Sequence, residues 1–157
     1  MSVQITELSM PGLLHLRGQK ISQALTEEGG DEMLVFSYRK VATHQFIARL
    51  GVEEFLINLN NFDSKVLNQK QYAFQRGDVV FELSGDWRAL MSEVCIYDFR
   101  QASPGDFVMV SVAGVSVWML ISDDAPLVVG CDPTYGHYLL TTLQKQIDSS
   151  PFLKIGV

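Results

Sequence analysis

Three histidines, His15, His44 and His137, are the side chains best suited to proton transfer in this chain. His15 and His44 fall in predicted strands and are flanked by apolar residues, which is typical of structural or surface histidines. His137 lies at the start of a predicted helix, where backbone N–H groups can hold an anion and lower a histidine pKa. We interpret the segment as a capped helix whose aromatic residues pack on a sheet, with an anion site as the alternative.

The cysteines and acidic residues do not form a recognisable reactive site. Cys95 and Cys131 belong to no CxxC pair and have no histidine at metal-ligand spacing, so both are predicted to be reduced and buried. Asp98 and Asp132 follow them closely, and a neighbouring carboxylate raises a thiol pKa. Residues 123–124, an adjacent Asp pair, are interpreted as a solvated turn because neighbouring strand residues point to opposite faces.

No phosphate-binding loop, nucleophile elbow or zinc-protease motif is present in the sequence. The tripeptide Arg76-Gly77-Asp78 is interpreted as the lead into a strand. Trp118, Tyr135 and Tyr138 could form a contact surface, since interfaces favour Trp and Tyr, but the same residues would serve in a core, which is the interpretation we favour. The sequence therefore predicts no catalytic, cofactor-binding or metal-binding residue.

Composition predicts one folded domain spanning residues 1–157. Hydrophobic residues make up 47% of the chain and charged residues 19%, which excludes disorder. The net charge is −6 and Lys and Arg form no run, so neither nucleic acid nor an anionic membrane is an expected partner. Residues 1–4 show no signal-peptide pattern and no apolar run reaches membrane-span length, so a cytoplasmic location is predicted.

The hydrophobic pattern predicts the same order of elements twice. In the first half, strands are expected at residues 12–17, 33–38, 41–50 and 53–59, with short helices around Ile21 and after Asn61, and a linker at 68–72. In the second half, strands are expected at 79–83, 107–112, 115–121 and 127–130, with helices at 86–94 and 134–147 and a loose tail from Ser149.

Residues 14–18 and 81–85 share the spacing of two apolar residues and a glycine, at an offset of 67. The predicted fold is therefore α+β, built from two pseudo-repeats at about 12–70 and 77–148. Each repeat has the order strand, helix, three strands, helix, and its sheet is mostly antiparallel with helices on one face.

Residues 79–143 resemble the gamma subunit of heterotetrameric sarcosine oxidase, a relative of the folate-binding domain of the glycine cleavage T-protein. The segment FELSGDWRALM at 81–91 is similar to the family's L-S-G-x-x-A-x-x-L-L. The segment CIYDF at 95–99, followed by Pro104-Gly105, resembles the family's C-P-x-D-L…F-x-P-G loop. The segment YGHYL at 135–139 resembles the family's S-Y-A-x-Y-L helix start, although this chain has Pro133-Thr134 where the family usually has Arg-Ser before the first Tyr. In the first half, LGVEEFLI at 50–57 resembles the family strand L-x-P-D-E-W-L-L.

The resemblance implies a non-catalytic structural subunit of a complex that oxidatively demethylates sarcosine or a related N-methyl amine. FAD, FMN, NAD, zinc and tetrahydrofolate are then expected on partner subunits, and the partners are larger flavoprotein subunits. One alternative is a stand-alone T-protein-like folate-binding module, for which Asp98, Asp123 and Asp132 are the candidate pterin-binding carboxylates. The other alternative is an unrelated protein-interaction domain.

Overall fold

The computed structural model describes residues 2–150 and divides the chain into two compact units. The continuous unit is Met10–Gly77, and the split unit combines Met1–Ser9 with Asp78–Val157. The chain is α+β, with both α-helices in the split unit, and each unit contains one five-stranded sheet in which every neighbouring pair of strands is antiparallel. The α+β, mostly antiparallel prediction is confirmed, while the prediction of a single domain stays a prediction.

The sheet of the split unit has the strand order β1-β7-β10-β9-β8. Its strands are β1 (Gln4–Leu8), β7 (Val79–Ser84), β8 (Phe107–Val112), β9 (Val115–Leu120) and β10 (Leu127–Cys131). Val, Phe, Leu and Met dominate these strands, as expected for residues that pack well on a pleated, buried surface. The central strand β10 is almost fully buried.

Two α-helices share a core with this sheet. Helix α1 (Trp87–Val94) buries Trp87, Leu90 and Met91, which recur at the spacing of one helical face, and the Asp86 carboxylate caps it by accepting from the Ala89 N–H at 3.2 Å. Helix α2 (Pro133–Ser149) buries Leu139, Leu143 and Ile147 at intervals of four residues.

The sheet of the continuous unit has the order β3-β4-β5-β2-β6. Its strands are β2 (Leu13–Gly18), β3 (Ser37–Ala42), β4 (Gln45–Gly51), β5 (Glu54–Asn58) and β6 (Gln71–Gln75). Only short 3₁₀ helices accompany it, at Ile21–Leu25, Gly30–Glu32 and Ser64–Val66. Ile21 and Leu25 from the first of these helices pack with Leu16, Phe55 and Ile57 to form the core on one face of the sheet.

The two sheets have the same topology, which confirms the predicted pseudo-duplication. Strands β2, β3, β4 and β5 occupy the positions that β7, β8, β9 and β10 occupy in the other sheet. The fifth strand comes from outside the repeated pattern in each case, as β6 beside β2 and as β1 beside β7. Each repeat thus needs an added edge strand to complete its sheet.

Several predicted boundaries are wrong. Residues 33–36 are a loop rather than a strand, and the predicted strand 41–50 is interrupted by the turn at Thr43 and His44, where His44 has φ 58°. The helix expected after Asn61 is a 3₁₀ turn capped by Asp63. The predicted linker 68–72 runs into β6, and β1 was not expected at all. The predicted loose tail is wrong for Ser149, which ends α2, and for Ser150, which is buried, and it lies outside the described residues from Pro151 onward.

Candidate functional site

The two cysteines are both free, but only one is fully buried as predicted. Cys131, at the end of β10, is 1% exposed, whereas Cys95 after α1 is half-buried. Burial raises the pKa of the Cys131 thiol, and the negative charges of Asp78 and Asp132 raise it further. A protonated, enclosed thiol is a poor nucleophile, so Cys131 serves the core.

The three candidate pterin-binding carboxylates all have partners within the split unit. Asp98 accepts from Arg100 Nε at 2.8 Å and from the Arg100 backbone N–H at 3.1 Å, and these bonds lower the pKa of the Asp98 carboxyl. Asp123 accepts from Arg88 Nη2 at 3.2 Å on an exposed turn, as the solvated-turn interpretation predicted. Asp132 caps α2 by accepting from the Thr134 N–H at 2.8 Å, which confirms the predicted cap. The three carboxylates thus serve as caps and ion-pair partners.

The start of α2 is more exposed than the sequence suggested. Tyr135 and Tyr138 are each 53% exposed, so the expectation that they pack in a core is wrong for these two residues, and His137 is exposed beside them. Trp118 on β9 does lie in the core, and its indole N–H donates to Asp78 Oδ2 at 2.8 Å. Trp118 therefore does not join the two tyrosines in one exposed surface.

His15 of the continuous unit takes part in a network of charged side chains. Its Nε2 lies 2.6 Å from Glu54 Oε1 across β2 and β5, and its Nδ1 lies 3.3 Å from Arg76 Nη1. Arg17 Nε lies 3.9 Å from the same Glu54 oxygen. The network links β2, β5 and the residue that follows β6, so it fits the structural role that the sequence predicted for His15. His44, expected in a strand, lies in the β3–β4 turn instead, and its carbonyl accepts from Asn58 Nδ2 at 2.6 Å.

An open cleft of about 470 Å³, which we call the β6 groove, lies beside this network. Its walls combine the aromatic residues of β6 with charged residues and a valine from β2 and the β4–β5 turn: Arg17, Gly18, Gly51, Val52, Glu53, Glu54, Tyr72 and Phe74. Tyr72 and Phe74 are 56% and 53% exposed, and their ring centroids are 6.3 Å apart. An open cleft that combines exposed aromatic rings with charged side chains is suited to binding.

Sequence reasoning missed the β6 groove because residues 68–72 were assigned to a linker. The available signal was the alternation in QYAFQ at 71–75, which places two aromatic residues on one strand face. Over residues 2–150, no group of three or more His, Cys, Asp and Glu side chains is arranged to hold a metal ion. No helix in that range has the length and apolarity needed to span a membrane.

Comparison with solved structures places the fold. The chain superposes with a TM-score of 0.78 on a chain of the heterotetrameric sarcosine oxidase from Corynebacterium sp. U-96, over 99% of this chain and 87% of that one, at 17% identity. It superposes with a TM-score of 0.70 on the glycine cleavage system aminomethyltransferase T from Bartonella henselae, over 90% of this chain, at 10% identity. The chain has a T-protein-like fold. It covers 45% of the Bartonella protein, and no family model or curated protein matches its sequence.

Proposed function

We propose that this chain is a non-catalytic structural subunit of a sarcosine-oxidase-like flavoenzyme complex. The observation that carries the proposal is the extent of the two structural matches. The chain covers 87% of the matched sarcosine oxidase chain but 45% of the aminomethyltransferase. The matched fold therefore corresponds to nearly the whole of one chain of a heterotetramer, but to less than half of an aminomethyltransferase.

The placement of the chemically capable residues also supports this role. Cys131 is enclosed, Asp132 caps a helix, and His15 is hydrogen-bonded to Glu54 on a sheet face. In such a complex FAD, FMN, NAD, zinc and tetrahydrofolate would be bound by partner subunits. The complex would oxidatively demethylate sarcosine or a related N-methyl amine, and this chain would stabilise it through contacts.

The test is purification of a tagged chain from its source organism under native conditions, followed by identification of co-purifying chains and an absorption spectrum. We expect larger partners in fixed ratio and a flavin spectrum. Sarcosine and other N-methyl amines would then be tested as reductants of the bound flavin. A single colourless chain in every growth condition would refute the proposal.

A stand-alone folate-binding module is the second candidate, because the match to the aminomethyltransferase extends over 90% of this chain. It requires a carboxylate available to the pterin ring, whereas Asp98, Asp123 and Asp132 are already engaged with Arg100, Arg88 and the α2 N-terminus. A thermal-shift titration of the isolated chain with tetrahydrofolate separates the two candidates. A saturable rise in Tm would favour the folate module, and no shift would favour the subunit.

A further inference from the structure

We propose that β6 pairs with an extended segment of a partner protein, which adds a sixth strand to the sheet of the continuous unit. The segment has an apolar centre that covers Tyr72 and Phe74 and an acidic residue near one end. This inference rests on the proposed function, because it identifies the surface through which the subunit engages another chain.

The hydrogen-bond pattern shows which backbone groups of β6 are available. The Arg76 N–H donates to the Leu13 carbonyl directly across the β2–β6 pair, so the ladder bonds of β6 alternate from that residue. Phe74 and Tyr72 therefore bond inward to β2, whereas the N–H and C=O groups of Ala73 and Gln75 point away from the sheet. The Gln71 N–H is already bonded to the Asn68 carbonyl. The outward backbone groups of Ala73 and Gln75 thus form a template for another strand.

Strand β6 also lacks the features that usually prevent edge pairing. Its sequence contains no charged residue and no proline, and its pairing with β2 has no bulge. By contrast, the edge strand β3 carries Arg39 and Lys40 and has a register shift beside Lys40, and the edge strand β1 carries Glu7. Strand β8 is an uncharged edge as well, but its most exposed large side chain is Met109 rather than an aromatic residue.

The aromatic pair adds contact area next to this edge. Tyr72 and Phe74 project from the same face of β6, and their rings are inclined by 22°. A strand added at β6 would place alternate side chains on that face, within reach of both rings. Exposed Tyr and Phe beside a pairing-competent edge are typical of strand-addition interfaces, in which the backbone gives affinity and alternate side chains give specificity.

The proposed complex supplies a different protein as the occupant, and charge disfavours one symmetric pairing of β6 with a second copy. A two-fold antiparallel pairing centred on Ala73 would bring Lys70 of one copy opposite Arg76 of the other, and like charges placed opposite each other are destabilising. Lys70 precedes β6, and Arg17 lies on β2 opposite Tyr72 with its side chain 59% exposed. Arg17 already has the Glu54 carboxylate within 3.9 Å, so the acidic residue at the end of the incoming segment would complement Lys70.

A five-residue strand buries less than a standard interface of roughly 1,200–2,000 Å², so the pairing would form part of a larger contact. That expectation agrees with a permanent subunit. The decisive measurement is therefore amide hydrogen exchange at single-residue resolution, in the purified complex and in the isolated chain.

We expect exchange at Ala73 and Gln75 to slow by on the order of tenfold or more in the complex, with little change at Tyr72 and Phe74, whose amides already bond to β2. This alternating pattern is specific to strand addition. Unchanged exchange at Ala73 and Gln75 in a complex with intact partners would overturn the inference and leave the proposed function standing. If no partner co-purifies, the proposed function fails and the inference fails with it.

A photo-crosslinker at Tyr72 identifies the occupant. We expect it to react with an extended partner segment that has an apolar centre and a nearby acidic residue. Crosslinks to a second copy of this chain, to a helix or to a basic segment would each overturn the assignment.

The substitution Phe74→Lys places a charge on the face of β6 and should lower recovery of the partner about tenfold or more, as one desolvated lysine can cost over 1.4 kcal/mol. Met109→Lys is the matched control, since Met109 is 52% exposed on the other uncharged edge strand. The Tm of each isolated variant shows that it is folded. Equal recovery with Phe74→Lys and Met109→Lys would contradict the inference.

Discussion

Gly130 and Trp118 face each other on the neighbouring strands β10 and β9, and the indole ring occupies the space next to the glycine. A Cβ atom at position 130 would lie 2.1–2.5 Å from three ring atoms of Trp118. The ring is held in place by the indole hydrogen bond to Asp78 and by stacking with Phe107. The absence of a side chain at this position therefore permits a large aromatic residue to lie flat on the sheet.

We expect Gly130→Ala to destabilise the split unit by about 1–3 kcal/mol, because an overpacked core must shift to accept the methyl group. Denaturant unfolding monitored by tryptophan fluorescence measures this loss. Gly77→Ala is the control, since a Cβ there meets no atom within 4 Å and its φ is not positive. A Gly130→Ala variant as stable as Gly77→Ala would show that the Trp118 ring can move freely.

The two thiols should differ in reactivity. Because burial raises the pKa of Cys131, its thiolate is depleted at neutral pH, and its sulfur is enclosed as well. We expect a disulfide reagent to modify Cys95 first and Cys131 only as the protein unfolds. Cys95→Ser should abolish the fast phase and Cys131→Ser the slow phase. Two phases of equal rate would contradict the structure.

The same pKa shift has a defined effect on stability. The folded state holds the Cys131 proton more tightly than the unfolded state does, so the thiol contributes no pH dependence while both states are protonated. As the pH rises through the ordinary thiol pKa of about 8.5, ionisation favours the unfolded chain and stability falls. The loss on going from pH 7 to pH 10 should be smaller in Cys131→Ser than in the parent protein.

The edge strands β1 and β6 are each held against a glycine at the end of a repeat strand. Gly18 ends β2 with φ +133°, and a Cβ there would lie 2.2 Å from the Lys70 carbonyl oxygen just before β6. Gly85 follows β7 with φ +81°, and a Cβ there would lie 2.2 Å from the Ser2 carbonyl oxygen just before β1. The shared glycine in the pseudo-repeat is thus explained by the close approach of an added strand.

We expect Gly18→Ala to weaken the β2–β6 pairing and Gly85→Ala to weaken the β7–β1 pairing, each by more than the backbone cost of a non-glycine residue at positive φ, about 1 kcal/mol. Gly105→Ala isolates that backbone cost, because Gly105 has φ +92° and no atom within 4 Å of its Cβ position. Hydrogen exchange should show faster amides in β6 for the first variant and in β1 for the second. Losses no greater than that of Gly105→Ala would refute this explanation.

The sequence predicted the second repeat better than the first, for physical reasons. Strands β7 to β10 and helices α1 and α2 have strong periodic burial and capping residues such as Asp86 and Asp132. In the first repeat, the helices are 3₁₀ turns too short to show helical periodicity. The turn at His44 adopts a left-handed conformation without a glycine to mark it, so the break between the two predicted strands was placed at residues 39–40 instead of 43–44.

Local sequence patterns do not reveal the edge positions of β1 and β6, although the alternation at 71–75 was a signal for a strand. β1 carries Thr6 and Glu7 at exposed positions and has few apolar residues, and β6 is flanked by polar residues that resemble a linker. Both are strands because of pairing with residues more than 50 positions away, as in Gly18 with Gln71. The Tyr72–Phe74 pair can be identified as a contact surface only when β6 is placed at the edge of the sheet.

Charge is distributed unevenly between the two units. By sequence, the split unit contains eleven acidic and four basic residues, whereas the continuous unit contains seven acidic and eight basic residues. The split unit thus has a formal charge of −7 and the continuous unit of +1, so all of the net negative charge belongs to the split unit. Repulsion among like charges destabilises a compact state and is screened by salt.

We therefore expect added salt to stabilise the split unit more than the continuous unit. Hydrogen exchange at low and at moderate NaCl concentration should show slower exchange in β7 and β10 as salt rises, with a smaller change in β4 and β5. Sodium and potassium chloride should act alike if screening is the cause. An equal response in the two units would show that the charge imbalance has no energetic effect.

The origin of β1 also constrains how the protein can fold during synthesis. Leu8 of β1 pairs with Val80, so β1 cannot pair until the ribosome has added about 70 further residues. At about 5–20 residues per second this takes roughly 4–15 s. All five strands of the continuous unit emerge in that interval. The split unit needs its central strand β10 as well, which ends at Cys131. Translation thus delivers every strand of the continuous unit while β1 is still unpaired, which makes β1 among the last strands to reach its native partner although it is synthesised before them.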